Sequence, residues 1–272
     1  MSEITILGAN GWIGSALAHF CEHKKDHKVH RVGRRDLTEW MSSASLKAQD
    51  IVFYCIGLTS DFRNKPHETI KAHSTILSSL IQQVRIDNLV YLSSSRVYSR
   101  ADVGKENVDL TVNPNQSSDI YNISKLLGES LVLSIPKPGF KVARLSNVLG
   151  KKQPSHTFVG QLLASARMHR QVTIMQAAAT AKDYISLDNV VELLYAVAFY
   201  GKDRIYNIAR GENTSHAYIA HWLSLFDCQV DFAHAETNSI EFPMISNDRI
   251  SREFSPRLVD PFNSELFKSF IP

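Results

Sequence analysis

Short apolar runs alternate along the chain with stretches whose apolar positions recur every three or four residues. Ile4–Leu7, Val29–Val32, Ile51–Ile56, Leu89–Leu92 and Val142–Leu145 read as strands. Between them, Gly11–His23 carries Ile13, Leu17 and Phe20 on one helical face, and His67–Val84 and Ser117–Leu133 have helical spacing as well. In His67–Val84 the apolar side is Ile70, Ile76, Leu77, Leu80, Ile81 and Val84. Strands separated by helices build βαβ units, and right-handed crossovers wind these into a parallel sheet covered on both faces. The predicted fold class is therefore α/β, a doubly wound parallel sheet of the Rossmann kind.

After Gly150 the pattern changes. A helix is predicted over Phe158–His169, a strand over Val172–Met175, a helix over Leu187–Tyr200 and a strand over Ile205–Ile208; beyond Gly211 the elements are short and polar. We expect a dinucleotide-binding domain over 1–150, to which 179–210 returns. A small C-terminal substrate domain is expected from 151–178 and 211–272. No repeat or low-complexity tract interrupts this order.

Composition narrows the class. The 272 residues are 44% apolar and 21% charged with a net charge of +3, which is the balance of a globular protein. Basic residues gather only at Lys24–Lys25 and at Arg31, Arg34 and Arg35, so binding of nucleic acid by bulk charge is not expected. Cys21, Cys55 and Cys228 match no zinc or redox spacing and are read as reduced, buried thiols. No apolar stretch reaches the length of a membrane span, and no signal-peptide pattern opens the chain, so a cytoplasmic protein is expected.

The candidate chemistry starts at Gly8-Ala-Asn10-Gly11-Trp12-Ile13-Gly14, between the first strand and the first helix. Gly8 suits a tight turn, Gly11 lets the backbone approach a pyrophosphate at the helix N-terminus, and Gly14 permits close packing of helix on strand. The loop lacks the Gly-Lys-Ser/Thr ending of an ATPase phosphate loop. At the end of the second strand, where an adenosine ribose is met, the chain reads Gly33-Arg34-Arg35-Asp36. Two guanidinium groups there favour a 2′-phosphate, hence NADP over NAD. Asp36 is the counter-signal, since a shift of a few residues makes it an NAD-type carboxylate.

Tyr121-Asn-Ile-Ser-Lys125 puts a phenol and an ammonium on one helical face. A neighbouring cation lowers a phenol's pKa toward neutrality, fitting Tyr121 as proton donor or acceptor and Lys125 as its tuner. Ser93-Ser94-Ser95 follows a strand whose carboxyl end should face the ligand crevice, where a hydroxyl can hold a substrate oxygen.

Together with Arg144-Leu-Ser-Asn147-Val-Leu-Gly150, Lys182-Asp-Tyr-Ile-Ser-Leu-Asp188 and Tyr206-Asn207-Ile, these segments fall in one order over the first 210 residues. In that order the chain resembles an extended short-chain dehydrogenase/reductase of the NAD-dependent epimerase/dehydratase group. The resemblance implies Ser94 as the catalytic serine and a nucleotide-sugar substrate bound between two domains. Ser95, Asn147 and Lys182 would line that site. It also implies a homodimer joined through the His67–Val84 and Tyr121 helices. Sugar dehydratases of this group carry Asp-Glu where this chain has Ser95-Arg96, so dehydration is disfavoured. Lys182 replaces the group's arginine, which leaves the substrate class open, and Lys71 or His73 falls near the group's helical asparagine. A reductase of 4-keto-sugars is the favoured reading. An epimerase with tightly held NAD and a non-catalytic NADP-binding regulator are the alternatives. His67, His156 and His169 are read as surface or packing residues without metal spacing; His73 belongs with them but is placed to face the nicotinamide. Arg144 is read as either structural or substrate-facing.

Overall fold

The computed structural model describes residues 2–24, 26–44, 47–58, 60–233 and 242–262. Lys25, and the stretches 234–241 and 263–272 of the expected C-terminal domain, lie outside the described residues.

In chain order the first half comprises β1 (Ser2–Leu7), α1 (Trp12–Glu22), β2 (His27–Val32), α2 (Leu37–Ala44), β3 (Gln49–Tyr54), α3 (Pro66–Ile70), α4 (Ile76–Gln83), β4 (Ile86–Ser94), α5 (Ile120–Ser134) and β5 (Phe140–Leu145). The second half comprises β6 (Asn147–Leu149), α6 (Phe158–His169), β7 (Gln171–Ile174), β8 (Ala181–Ser186), α7 (Leu187–Tyr200), β9 (Ile205–Ile208), β10 (Asn213–Ser215), α8 (His216–Ser224), β11 (Gln229–Phe232) and α9 (Asp248–Phe254). Six strands form a parallel sheet in the order β2-β1-β3-β4-β5-β9. The chain leaves β1 toward β2 and returns on the other side to β3, so a crevice opens above the carboxyl ends of β1 and β3.

Side-chain alternation explains why both faces are covered. Val90 and Leu92 pack with Ile4, Ile6, Phe53 and the apolar sides of α1 and α7. The other parity, Leu89 and Tyr91, packs with Val52, Tyr54, Val142 and the apolar residues of α4 and α5. The doubly wound sheet expected from the apolar runs is the observed fold. A separate cluster of Leu149, Leu162, Leu163, Tyr184, Trp222 and Phe262 forms a second core beneath α6 and α8. A three-stranded sheet, β10-β8-β6, and a two-stranded pair, β11-β7, accompany it.

One predicted helix differs from its expected form. His67–Val84 is not a single α-helix: Lys71–Thr75, between α3 and α4, is a π-helical turn. Two buried tyrosines hold this wider turn from the sheet. Tyr54 Oη donates to the Ala72 carbonyl at 2.7 Å, and Tyr91 Oη donates to the His73 carbonyl at 3.0 Å. Gly128 lets α5 press against the same place, since a Cβ there would lie 2.4 Å from Tyr91 Oη and 2.7 Å from the His73 carbonyl oxygen.

Candidate active site

The glycine loop is built as a close-packed turn. Gly8 has φ +87°, and its amide and that of Ala9 both donate to the Val32 carbonyl, at 2.8 and 3.2 Å. A Cβ on Gly8 would lie 3.0 Å from the Cys55 backbone, and one on Gly14 would lie 2.4 Å from the Gly8 carbonyl oxygen. Gly11, at the N-cap of α1, has extended backbone angles and no side-chain cap, so the first amides of α1 keep their donors for a ligand. Gly11, Trp12, Ile13 and Gly14 line a cleft of about 490 Å³, which also receives Cys55, Ile56 and Gly57 from the end of β3. Trp12 Nε1 donates to the Lys151 carbonyl at 2.8 Å, fixing the loop to the segment after β6. A glycine cradle that a Cβ would fill, opening on free helix-end amides, fits a dinucleotide pyrophosphate.

Gly8 and Asn10 do not line the cleft. Gly8 supports the loop from below, and Asn10 is exposed, its side-chain amide beside Gly33. Arg34, Arg35 and Asp36 lie on the exposed turn after β2, outside the cleft lining. The Gly33 amide donates to the Asp36 carboxylate at 3.2 Å, so the acid folds back over the strand end while both arginine side chains reach solvent.

The reacting groups converge at the other side of the cleft. Ser93 continues the parity of Tyr91 toward α5, and its Oγ donates to the Glu129 carboxylate at 2.5 Å. Ser94 falls on the opposite parity, on the side of the Tyr121 phenol, whose ionised form it favours. Ser94 Oγ also accepts from the Arg96 amide at 3.2 Å, capping the 3₁₀ turn Ser95–Tyr98. Ser94, Ser95, Tyr121 and Lys125 all line the cleft. Lys125 Nζ donates to the Leu92 carbonyl at 2.8 Å and lies 5.1 Å from the Tyr91 ring centre. Burial pulls its pKa down to about 7, against the opposing charge of Glu129.

The tuning of Tyr121 differs from the expectation. Burial holds its phenol above the ordinary range; the groups that favour the ionised form are Ser94 and Arg96, and Lys125 is turned to the Leu92 carbonyl instead. Asn147 and Lys182 both line the cleft. Asn147 Nδ2 donates to the Asp183 carbonyl at 2.9 Å, tying β6 to β8. The Lys182 amine is pushed below its ordinary pKa by burial and by the charge of Arg96.

His73 does not face the cleft. It is fully buried behind Tyr121, edge-on at 5.2 Å between ring centres. Its partners fix the tautomer. The Leu58 amide donates to Nε2 at 3.3 Å, and the Ser124 hydroxyl spends its proton on the Tyr121 carbonyl at 2.9 Å. Nδ1 therefore carries the hydrogen and donates to Ser124 Oγ at 2.8 Å. Burial and the Lys125 charge push the imidazole pKa down to about 2. Arg144 is structural: its guanidinium is buried on Glu129, with Nη2 2.6 Å from Oε2, and Nη1 donates to Tyr98 Oη at 2.7 Å. Two cleft residues escaped the sequence reading. Arg96 was seen only as the absence of an acid, and His156 only as a surface histidine, although both line the cleft. Cys55 also borders it, with a thiol that burial pushes up to about 12. Among the described residues no helix is long and apolar enough to cross a membrane, and no group of three His, Cys, Asp or Glu side chains is placed to hold a metal ion.

A sequence profile described as the NAD dependent epimerase/dehydratase family matches residues 4–209. The chain belongs to this family. It is an NAD-dependent enzyme of the epimerase/dehydratase type. No curated protein matches the chain. Several solved structures share its fold. One is described as a novel NAD dependent NDP-hexosamine 5,6-dehydratase, TunA, involved in tunicamycin biosynthesis; it is 16% identical over 99% of this chain and 98% of that one, with TM-score 0.80. Another is RMD from Pseudomonas aeruginosa complexed with NADPH, 17% identical over 99% and 98%, with TM-score 0.81. A third is UDP-glucuronic acid 4-epimerase from Bacillus cereus in complex with UDP-glucuronic acid and NAD, 16% identical over 99% and 98%, with TM-score 0.81. Identities this low establish the fold and leave the substrate to the residues of the site.

Proposed function

We propose that this enzyme is an oxidoreductase of nucleotide-linked sugars, acting as a 4-keto-sugar reductase through Ser94, Tyr121 and Lys125. The observation that carries the reading is the convergence of Ser94, Tyr121 and Lys125 on the one cleft that the glycine loop borders. In this reading residues 1–150 and 179–210 hold the dinucleotide, and 151–178 with 211–272 hold the sugar nucleotide. A homodimer through α4 and α5 remains part of the proposal.

The bound nicotinamide supplies hydride exchange at the sugar carbon. The chain supplies the rest. Ser94 donates to the substrate's carbonyl oxygen and holds it against Tyr121. Tyr121, kept protonated by burial, is a proton donor at rest, which is the state reduction of a ketone needs. As its proton leaves, the phenolate is steadied by the Ser94 hydroxyl and by the Arg96 charge. Lys125, buried beside Gly57, would bond the ribose and return a proton to the site. Trp12, Ile13 and Leu145 supply apolar wall on the cleft.

Arg34 and Arg35 support NADP as the cofactor. The placement of Asp36 over the Gly33 amide supports a second reading, NAD held by an epimerase, because it brings a carboxylate to the strand end where a ribose 2′-hydroxyl would lie. The test is turnover of nucleotide 4-keto-sugars with NADPH and with NADH. Tyr121→Phe is expected to lose at least about 100-fold in kcat, the lower range for a lost acid–base group. A loss below tenfold rejects Tyr121 as the proton donor. Turnover of a nucleotide sugar without added cofactor selects the epimerase.

A further inference from the structure

The charge of the cleft is one-sided. Arg96, Lys125 and Lys182 line it, and no aspartate or glutamate does among the described residues. Burial disfavours the charged forms of Lys182 and Arg96, and at Lys182 the like charge of Arg96 adds to it. Such a site becomes favourable when an anion enters it.

Arg96 is the cation whose partner is missing. Its Nε is buried without a hydrogen-bond partner. Its guanidinium carbon lies 5.0 Å from the Phe62 ring centre and 5.6 Å from that of Tyr121, so two aromatic faces fix its position. Asp119 is the acid whose charge reaches it, and that carboxylate is already engaged by Arg100 at 3.1 Å and by the Asn113 amide at 2.7 Å. Arg63, 4.6 Å from the same Phe62 ring centre, adds repulsion. A planar fork of donors held in this way matches a carboxylate in two-point contact.

Position decides which anion. The fork stands over the ring of Tyr121, the group that meets the reacting oxygen. In a nucleotide hexose the diphosphate hangs from C1, across the ring from C4. The exocyclic C6 sits on C5, next to C4. An anion beside the reacting carbon is therefore a C6 carboxylate. Resting on the sugar-nucleotide reading above, we propose that Arg96 holds the carboxylate of the substrate's sugar, so that the enzyme takes nucleotide-linked uronates in preference to neutral hexoses.

UDP-glucuronic acid and UDP-glucose differ only at C6 and make the test. With cofactor present, their equilibrium binding and that of UDP alone are measured on wild type, R96Q and R96K. Wild type is expected to bind the uronate about 10- to 100-fold more tightly than the hexose, the range of a charge-assisted two-point contact. In R96Q the ratio falls to near one because the uronate weakens, and R96K recovers part of it. Thermal unfolding of each variant reports whether the cleft is intact, and the bond from the backbone amide of residue 96 to Ser94 Oγ does not use the Arg96 side chain. Equal affinity of wild type for the two sugars overturns the proposal and leaves the sugar-nucleotide reading standing. Equal weakening of UDP, hexose and uronate in R96Q puts Arg96 on the diphosphate and also overturns it. Failure of both sugars to bind better than UDP rejects the underlying reading, and the proposal with it.

Discussion

Glu129→Gln should unsettle the enzyme more than any change at its surface. Glu129 is 2% exposed and Arg144 4% exposed. Arg144 Nε donates to both carboxylate oxygens at 3.1 Å, Nη2 donates at 2.6 Å, and Ser93 adds a fourth bond. Glutamine keeps the shape and removes the charge, leaving a guanidinium in the core with only neutral acceptors: the glutamine's own amide oxygen, Tyr98 Oη and the Glu106 carbonyl. Breaking a buried pair from one side costs about 3–5 kcal/mol, because the surviving charge is uncompensated. At roughly 2–4 °C per kcal/mol for a chain of this order, the melting temperature should fall by about 6–20 °C. Thermal and urea unfolding followed by circular dichroism measure this directly. The variant E129M/R144M, which removes both charges, should recover most of the loss. A second readout follows from electrostatics: the Glu129 charge raises Lys125, so without it Lys125 gives up its proton at a pH below its present value of about 7. A fall under about 2 °C in E129Q, or single-variant losses that simply add in the double variant, would refute the assignment of this pair as the tie between α5 and β5.

Two further outcomes follow from the geometry. Gly14→Ala drives a methyl to 2.4 Å from the Gly8 carbonyl oxygen, against the backbone of Gly8 and Ala9; about 1–3 kcal/mol of overpacking is expected, with cofactor affinity down tenfold or more, and a wild-type dissociation constant by fluorescence titration would contradict the close-packed loop. His73→Asn tests burial through pH. The folded imidazole is pushed down to about 2 while the free one titrates near 6.5, so below pH 6.5 the unfolded chain binds a proton the folded chain does not. The His73 contribution is thus fully present above about pH 6.5 and is lost as pH falls, at about 1.4 kcal/mol per unit. His216, pushed down to about 4, acts with the same sign in both proteins, so the difference isolates His73. Urea unfolding between pH 4.5 and 7 should show a shallower slope in the variant, and parallel curves would exclude a neutral buried imidazole.

The sheet was readable because its strands are buried on both faces and therefore apolar almost throughout, as Ile51–Tyr54 is. The glycine loop was readable because Gly8 and Gly14 reject a side chain for separate steric reasons, and Gly11 between them leaves little room for one. The small sheet β10-β8-β6 was not, since Asn147–Leu149 and Asn213–Ser215 are three-residue strands whose pairing comes only from tertiary contact. Nor was the π turn legible. Nothing in Lys71–Thr75 marks an extra residue; hydroxyls far off in sequence, on Tyr54 and Tyr91, bond its carbonyls. Arg96 was passed over for a similar reason. Its meaning lies in the absence of a partner, and that is known only once Asp119 is seen to be held by Arg100.

The placement of the three serines shows how the scaffold and the chemistry depend on one register. Ser93 points into the ion pair of Glu129 and Arg144, while Ser94, on the next parity, meets Tyr121. Tyr121, Lys125 and Glu129 follow one another at intervals of one helical turn along α5. Glu129 is the residue of this row that is bonded to both β4 and β5, so it sets how far α5 can slide along the sheet. A slip of one residue in β4 that carried Leu92 to the place of Ser93 would set an apolar side chain against the Glu129 carboxylate and remove one of its four hydrogen bonds. The buried ion pair thus acts as a register pin. Its value lies less in net stability, which an apolar pair of like volume could supply, than in placing Tyr121 against Ser94 and nowhere else.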